Sequence, residues 1–212
     1  MMLVSTQVIA GGVTIGGTRL IYDGSKKDAV LNVTNTDNSP YLIQSWVEPQ
    51  EASTLKAPFI ITPPLFRLDG NEQNLLRVVR TGGSLPEDRE SLYWLNVKAI
   101  PSSGKNENVN TLQIAVRSRI KLIYRPQGLN GVPEDVTGKL SWSRSASKLT
   151  VTNPTPFVMN FQSVKVGTHD ISDATLVMPQ SQSTFTVPNG VSGKISWRLI
   201  SDYGGIGVEH SN

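Results

Sequence analysis

The chain has 212 residues, of which 38% are hydrophobic and 17% charged, a composition typical of a folded protein with one large or two ordinary domains. The net charge of +3 is too small to indicate a nucleic-acid-binding protein, and no segment contains the about 20 consecutive apolar residues of a membrane helix. Without cysteine, the chain has neither a disulfide framework nor a thiolate zinc site.

Residues 1–11 carry no charge, and Val8-Ile9-Ala10 before Gly11-Gly12 resembles the end of a signal peptide with a small-residue cleavage site. The basic first part of a signal peptide is missing. We expect residues 1–11 to be a signal-peptide remnant; the alternative is an ordinary apolar N-terminus.

Short runs rich in Val, Ile, Leu, Thr and aromatic residues follow, separated by Gly, Pro, Asn, Asp and Ser, which favours an all-β protein. The predicted strands are Thr18–Tyr22, Ala29–Thr34, Tyr41–Glu48, Phe59–Thr62, Leu65–Leu68, Asn74–Arg80, Ser91–Ala99 and Thr111–Tyr124. This number of short strands is typical of an immunoglobulin-like sandwich. We expect Trp46, in the third strand, to lie in the sandwich core.

The segment Arg125–Pro133 contains two prolines and two glycines, as a connection between domains would. Further strands are predicted at Lys139–Ser143, Lys148–Thr152, Val158–Val166, Thr184–Val187 and Lys194–Ile200. The sequence therefore predicts two immunoglobulin-like β-sandwich domains, residues 12–126 and 134–212, joined by a linker at 127–133.

Residue patterns that would indicate catalysis are missing from the sequence. His169 and His210 are the only histidines and do not have a metal-ligand spacing; no GxSxG or P-loop sequence occurs either. The acids Glu87, Asp88 and Glu90 lie in a charged loop, where solvation or ion pairing explains them. We expect no enzyme, no metal site and no cofactor.

The longest predicted strand, Thr111–Tyr124, alternates between an apolar and a basic face. Its basic residues are Arg117, Arg119 and Lys121. Such alternation fits a core-facing strand with a solvated outer face. Its length, well above the usual about 5 to 6 residues, favours instead a strand that extends past its neighbours as a sheet edge able to receive a partner.

Six segments resemble, in order and spacing, those of the periplasmic pilus chaperones of the PapD and FimC type: Gly17–Tyr22, Tyr41–Glu48, Ile61–Phe66, Leu85–Leu92, Asn96–Pro101 and Arg119–Pro126. Asn153–Phe157 and Asp202–Gly204 extend the similarity into the second domain. The resemblance implies two immunoglobulin-like domains in a boomerang arrangement. It also implies a periplasmic protein that captures pilus subunits by donor-strand complementation and delivers them to an outer-membrane usher.

The same resemblance implies roles for particular residues. The donor residues that fill the subunit's groove would be Leu112, Ile114 and Val116, and Arg19 and Lys121 would bind the subunit's C-terminal carboxylate. The interdomain ion triad, a structural feature, would be Glu90, Arg125 and Asp202.

The short polar segment Ser102–Asn110 resembles the short-loop branch of that family. Two points stay open on the sequence alone. One is whether the free chain caps its own edge by forming a dimer. The other is the alternative function, a structural or adhesive immunoglobulin-like surface protein in which the long strand is wholly intramolecular.

Overall fold

The computed structural model describes residues 11–51, 56–102 and 112–212. Nearly all of the predicted signal-peptide remnant lies outside the described residues, as do Thr111 and most of the segment Ser102–Asn110.

The first domain is a β-sandwich. Its strands are β1 (Val13–Ile15), β2 (Arg19–Asp23), β3 (Asp28–Asn35), β4 (Tyr41–Pro49), β5 (Phe59–Thr62), β6 (Leu65–Leu68), β7 (Gln73–Arg80), β8 (Ser91–Pro101) and β9 (Val116–Arg125). One sheet has the order β1-β3-β7-β5, and the other has the order β2-β9-β8-β4-β6. Alternate apolar side chains of the two sheets form the core between them, with Val33, Ile43, Leu76 and Leu95 fully buried.

The first two strands belong to different sheets, although they are separated by three residues. β1 pairs with β3, whereas β2 pairs in parallel with the C-terminal half of β9. The chain crosses between the sheets at Gly16 and Gly17, and Gly17 has φ +150°, a conformation that a side chain would strain. Within the part of the chain that the structure describes, this crossing leaves the N-terminal half of β9 paired with β8 alone.

The second domain is also a β-sandwich, and it follows a helical turn, α1 (Pro133–Val136), and a 3₁₀ turn at Thr137–Lys139. Its strands are β10 (Ser141–Ser145), β11 (Lys148–Asn153), β12 (Met159–Val166), β13 (His169–Asp170), β14 (Leu176–Val177), β15 (Ser181–Thr186), β16 (Ile195–Leu199) and β17 (His210–Ser211). The sheet β10-β11-β15 faces a sheet of order β13-β12-β16-β17, to which β14 adds through β12. Val151, Val166 and Val177 are fully buried in the core between them.

The two domains share a small apolar contact. Leu92 of β8 and Ile123 of β9 pack against Val158, which precedes β12 in the second domain, and all three side chains are buried. The end of β9 that is paired on both sides is therefore also the end that adjoins the second domain.

The predicted all-β, two-sandwich fold is confirmed, with two differences in detail. Trp46 is not in the core: it lies half-buried on the outer face, because Ile43 and Ser45 are the inward residues of β4. The strands β1, β13, β14 and β17 have no predicted counterpart, since runs of two or three residues show no detectable alternation. Within the described ranges, no helix has the length and apolarity needed to cross a bilayer.

Candidate functional site

The N-terminal half of β9 is an open sheet edge. β8 pairs with β9 from Val116 to Tyr124, but β2 joins the opposite side of β9 only from Lys121 onward. Among the described residues, Val116–Ile120, called the open edge below, therefore have a neighbouring strand on one side only. Their outward backbone groups are available to another strand.

The predicted strand Thr111–Tyr124 is shorter in the structure, which is a correction to the sequence interpretation. Thr111 lies outside the described residues, Leu112–Ala115 have no regular secondary structure, and β9 begins at Val116. Of the three residues predicted to be donors, Leu112 and Ile114 therefore lie in irregular chain, and only Val116 is in strand geometry.

The exposure of the apolar side chains decreases steadily from Leu112 to Leu122. Leu122 is fully buried and Ile120 is 8% exposed, whereas Val116 is 57%, Ile114 67% and Leu112 87% exposed. All five have the same parity, and in β9 that parity faces the core. The apolar face of the strand therefore continues beyond the core of its own domain and presents unburied side chains.

A groove lies beside the open edge, between the two sheets. It has a volume of about 250 Å³ and is lined by Val13 and Ile15 of β1, Val97 of β8, and Ile114 and Val116. The groove forms where the crossing of the first strand separates β1 from β9. An extended segment laid along the open edge would cover it and bury the apolar side chains.

Arg19 and Lys121 form a cation pair at the C-terminal end of the open edge. They are directly opposite each other in the parallel pairing of β2 with β9. The Arg19 side chain is buried, its Nη1 donates to the carbonyl oxygen of Ile200 in the second domain at 3.1 Å, and its Nε has no hydrogen-bond partner among the described residues. Within the described ranges, neither cation makes an ion pair.

The electrostatics of this pair favour an anion. Burial lowers the pKa of Arg19, and burial together with the charge of Arg19 lowers the pKa of Lys121 from 10.5 to about 8. Asp202 and Glu134 act on Arg19 only from beyond ion-pair distance, so within the described ranges the repulsion between the two buried cations is only partly offset. A carboxylate placed between them would relieve the repulsion and would accept charge-assisted hydrogen bonds.

Glu90, Arg125 and Asp202 are brought together across the domain boundary. Arg125 Nε donates to Glu90 Oε1 at 2.7 Å, and its Nη1 and Nη2 donate to Asp202 Oδ2 and Oδ1 at 2.8 and 3.1 Å. Glu90 Oε2 accepts a hydrogen bond of 2.7 Å from the backbone N–H of Val158 in the second domain. The triad thus connects the C-terminal end of β9 and the residue before β8 to the second domain.

Glu90 is the least solvated member of the triad, with a side chain that is 0% exposed. Burial raises its pKa to about 7, although the charge of Arg125 and the Val158 hydrogen bond act in the opposite direction. The structure around this carboxylate is fixed by hydrogen bonds, which suits a structural element better than a binding site.

Sequence reasoning missed two features near the site. One is the contact of Arg19 with a backbone carbonyl, which leaves no mark in the sequence. The other is a cluster on the outer face of the sheet formed by Trp46, Glu48, Asn96 and Arg117. The alternation of β9 indicates that Arg117 lies on the outer face, but it does not indicate which side chains Arg117 contacts. The described residues contain no group of acids and histidines suited to a metal ion.

Two family models match this chain over most of its length. The N-terminal domain of the PapD pili and flagellar-assembly chaperones matches residues 12–130, and the C-terminal domain of the PapD pili-assembly chaperones matches residues 135–211. Among relatives, the probable fimbrial chaperone LpfB of Escherichia coli O157:H7 is 47% identical over 96% of this chain and 89% of its own length. The chaperone protein FimC of Escherichia coli K12 is 45% identical over 97% of this chain and 88% of its own.

Solved structures of pilus chaperones are also similar to this chain. A chain from the Salmonella enterica SafA pilin in complex with the SafB chaperone superposes with a TM-score of 0.89 at 41% identity, covering 98% of each chain. The Escherichia coli chaperone DraB superposes with a TM-score of 0.86 at 39% identity, covering 95% of this chain and 98% of its own.

Proposed function

The chain belongs to the family of PapD-type pilus-assembly chaperones, and on this premise we propose that it captures pilus subunits at the open edge of β9. The subunit would be an incomplete sandwich whose missing strand is supplied by Leu112–Ile120. Backbone pairing would satisfy the edges of both partners, and alternate apolar side chains would fill the subunit's exposed core.

The exposure of the donor residues is the observation that carries this proposal. Leu112, Ile114 and Val116 are more than half exposed, although they share the parity of the buried Ile120 and Leu122. Burying three such side chains contributes on the order of 5 to 8 kcal/mol before the entropy of ordering is subtracted. A strand that is wholly intramolecular would bury these three side chains in its own domain. Their exposure therefore does not support the alternative function of an adhesive surface protein.

The cation pair would fix the register of the bound strand. A subunit strand running along the open edge reaches Arg19 and Lys121 where β2 begins to pair with β9. Its terminal carboxylate would accept hydrogen bonds worth about 1.5 to 3 kcal/mol each from the two cations. Because the pair lies at one fixed position, a strand displaced by one residue would lose these bonds and would also turn its apolar side chains away.

The triad would hold the domains in the orientation that the cation pair requires. Arg19 depends on the second domain through Ile200, and Arg125 connects Glu90 with Asp202 of that domain. We assign Glu90, Arg125 and Asp202 to this structural role, with no direct part in subunit binding.

The cellular setting and the later step of assembly follow from the family. We propose a periplasmic location, delivery of the captured subunit to an outer-membrane usher, and no catalytic activity, metal or cofactor. Residues 12–126 and 134–212 would be the two domains and 127–133 their linker.

Co-expression with candidate pilus subunits, followed by protease treatment, tests the proposal. The wild-type chain should co-purify with its subunit and protect it. Replacing the three donor residues together by Thr should abolish protection while leaving the chain folded, since the three side chains are exposed. Arg19→Gln should weaken capture, whereas Arg67→Gln, in an exposed ion pair on β6, should leave it unchanged. Full protection by the donor variant would refute the proposal.

A further inference from the structure

The open edge needs support that its pairing alone does not give. Between Val116 and Ile120 it pairs with β8 on one side and with no other strand of the described ranges, and Leu112–Ala115 before it have no regular secondary structure. An edge strand with one neighbour is free to fray or twist. The alternate orientation of its side chains toward the two faces of the sheet must nevertheless be maintained if Val116 is to face the groove.

A cluster of four side chains lies on the opposite face of the sheet at this point. Arg117 Nη2 donates to Glu48 Oε2 at 2.7 Å, and Arg117 Nε and Nη2 donate to Asn96 Oδ1 at 3.0 and 2.7 Å. The Arg117 guanidinium lies 5.0 Å from the centre of the Trp46 ring, and Trp46 Nε1 donates to Glu48 Oε1 at 2.8 Å. Asn96 is fully buried.

These contacts connect three strands. Asn96 is on β8, whereas Trp46 and Glu48 are on β4, one strand further from the open edge. A single side chain of the open edge is thus fixed to both of the strands behind it. The planar guanidinium is suited to this, because it can donate to two acceptors while it stacks on a ring.

We propose that Arg117 is a positioning residue for subunit capture. Successive residues of a strand point to opposite faces, so holding Arg117 against the outer face holds Val116 and Ser118 on the side of the groove. The contacts of Arg117 keep the open edge extended and aligned before a subunit arrives. This inference rests on the proposed function of β9 as the donor strand.

An alternative role for Arg117, a free cation that attracts an acidic partner, fits the contacts less well. Its charge is paired with Glu48, and its Nε and Nη2 both donate into the cluster. Arg119 differs in this respect: it stacks on Trp94 at 4.3 Å and lies 3.8 Å from Glu48, without a closer polar contact in the described ranges.

Hydrogen–deuterium exchange of the free chain tests the inference without any subunit. For Arg117→Gln we expect exchange in peptides covering residues 116–120 to rise on the order of tenfold, from the loss of charge-assisted hydrogen bonds. Glu48→Gln, which leaves Arg117 in place, should act in the same direction. Arg67→Gln is the matched control on the same sheet. Unchanged exchange at 116–120, or an equal rise in β12 and β16 of the second domain, would overturn the inference.

Arg117→Lys separates position from charge. A lysine keeps the charge but lacks the planar fork, so we expect the same rise in exchange as in Arg117→Gln; wild-type exchange in this variant would overturn the assignment. The association rate with the subunit identified by co-expression should fall severalfold in both variants, and an unchanged rate would also overturn it. If the donor variant with three Thr still protected the subunit, the proposed function would fail, whatever Arg117 does.

Discussion

Replacing Lys121 by Met should stabilise the free chain while weakening subunit capture. The pKa of Lys121 is lowered from 10.5 to about 8, so the folded chain binds this proton less readily than the unfolded chain does. The contribution of Lys121 to stability is therefore present above pH 10.5 and is lost as the pH falls through about 8. The shift corresponds to about 3 kcal/mol, and we discount it to about 2 kcal/mol because the ammonium group is partly solvated.

Urea denaturation at pH 7 and at pH 10.5 measures this effect. Lys121→Met should raise the free energy of unfolding by about 2 kcal/mol at pH 7 and by much less at pH 10.5, where the wild-type ammonium is largely neutral. Lys98→Met, on the adjacent strand β8, controls for the added apolar side chain. A gain of the same size at both pH values would show that packing is responsible, and not the burial of the ammonium charge and its repulsion by Arg19. No gain at pH 7 would refute the reasoning about the cation pair.

Other substitutions test the rest of the structure. Burial raises the pKa of Glu90 to about 7, so the contribution of Glu90 to stability is present below its usual pKa and is lost as the pH rises through 7. The change in the free energy of unfolding is on the order of 3 kcal/mol. Glu90→Gln should flatten this pH dependence in urea titrations between pH 4 and 8. Asp202→Asn should remove about 1 to 3 kcal/mol, seen in calorimetry, by leaving Arg125 with one charged partner; an unchanged melting profile would contradict the triad's role. Leu122→Ala should reduce stability by about 2 to 5 kcal/mol, because Leu122 is fully buried. Leu112→Ala should change stability by less than about 0.5 kcal/mol and still reduce capture, because Leu112 is exposed. Equal losses of stability in the two variants would mean that both side chains face the core.

The fold was predictable from the sequence because alternation and turn residues mark each long strand. β5 and β6 have the predicted bounds, and β4 and β8 differ by one or two residues at their ends. Trp46 was misplaced because residue type was weighed above parity. It occupies an outward position of β4, and its large ring is half-buried there under Arg117, not in the core.

The sequence indicates candidate residues for the site, whose roles stay predictions, but it does not indicate how they are arranged. The alternation of β9 indicates an apolar face, but only the pairing of β2 with residues from Lys121 onward shows which part of that face remains unburied. That pairing depends on the crossing at Gly16 and Gly17, a tertiary feature with no periodicity of its own. The contacts of Arg117 with β4 and β8 likewise depend on strand order, which alternation within one strand does not encode.

If Arg19 binds the subunit's carboxylate as proposed, its hydrogen bond to the carbonyl of Ile200 means that the first domain alone does not contain the complete binding site. A fragment ending near residue 126 would retain every donor side chain and both cations, yet Arg19 would lose the acceptor that orients it. Removing the second domain would therefore leave a fragment that still binds apolar grooves through its exposed side chains. That fragment would no longer distinguish a polypeptide whose C-terminus lies at the correct position from any other exposed strand.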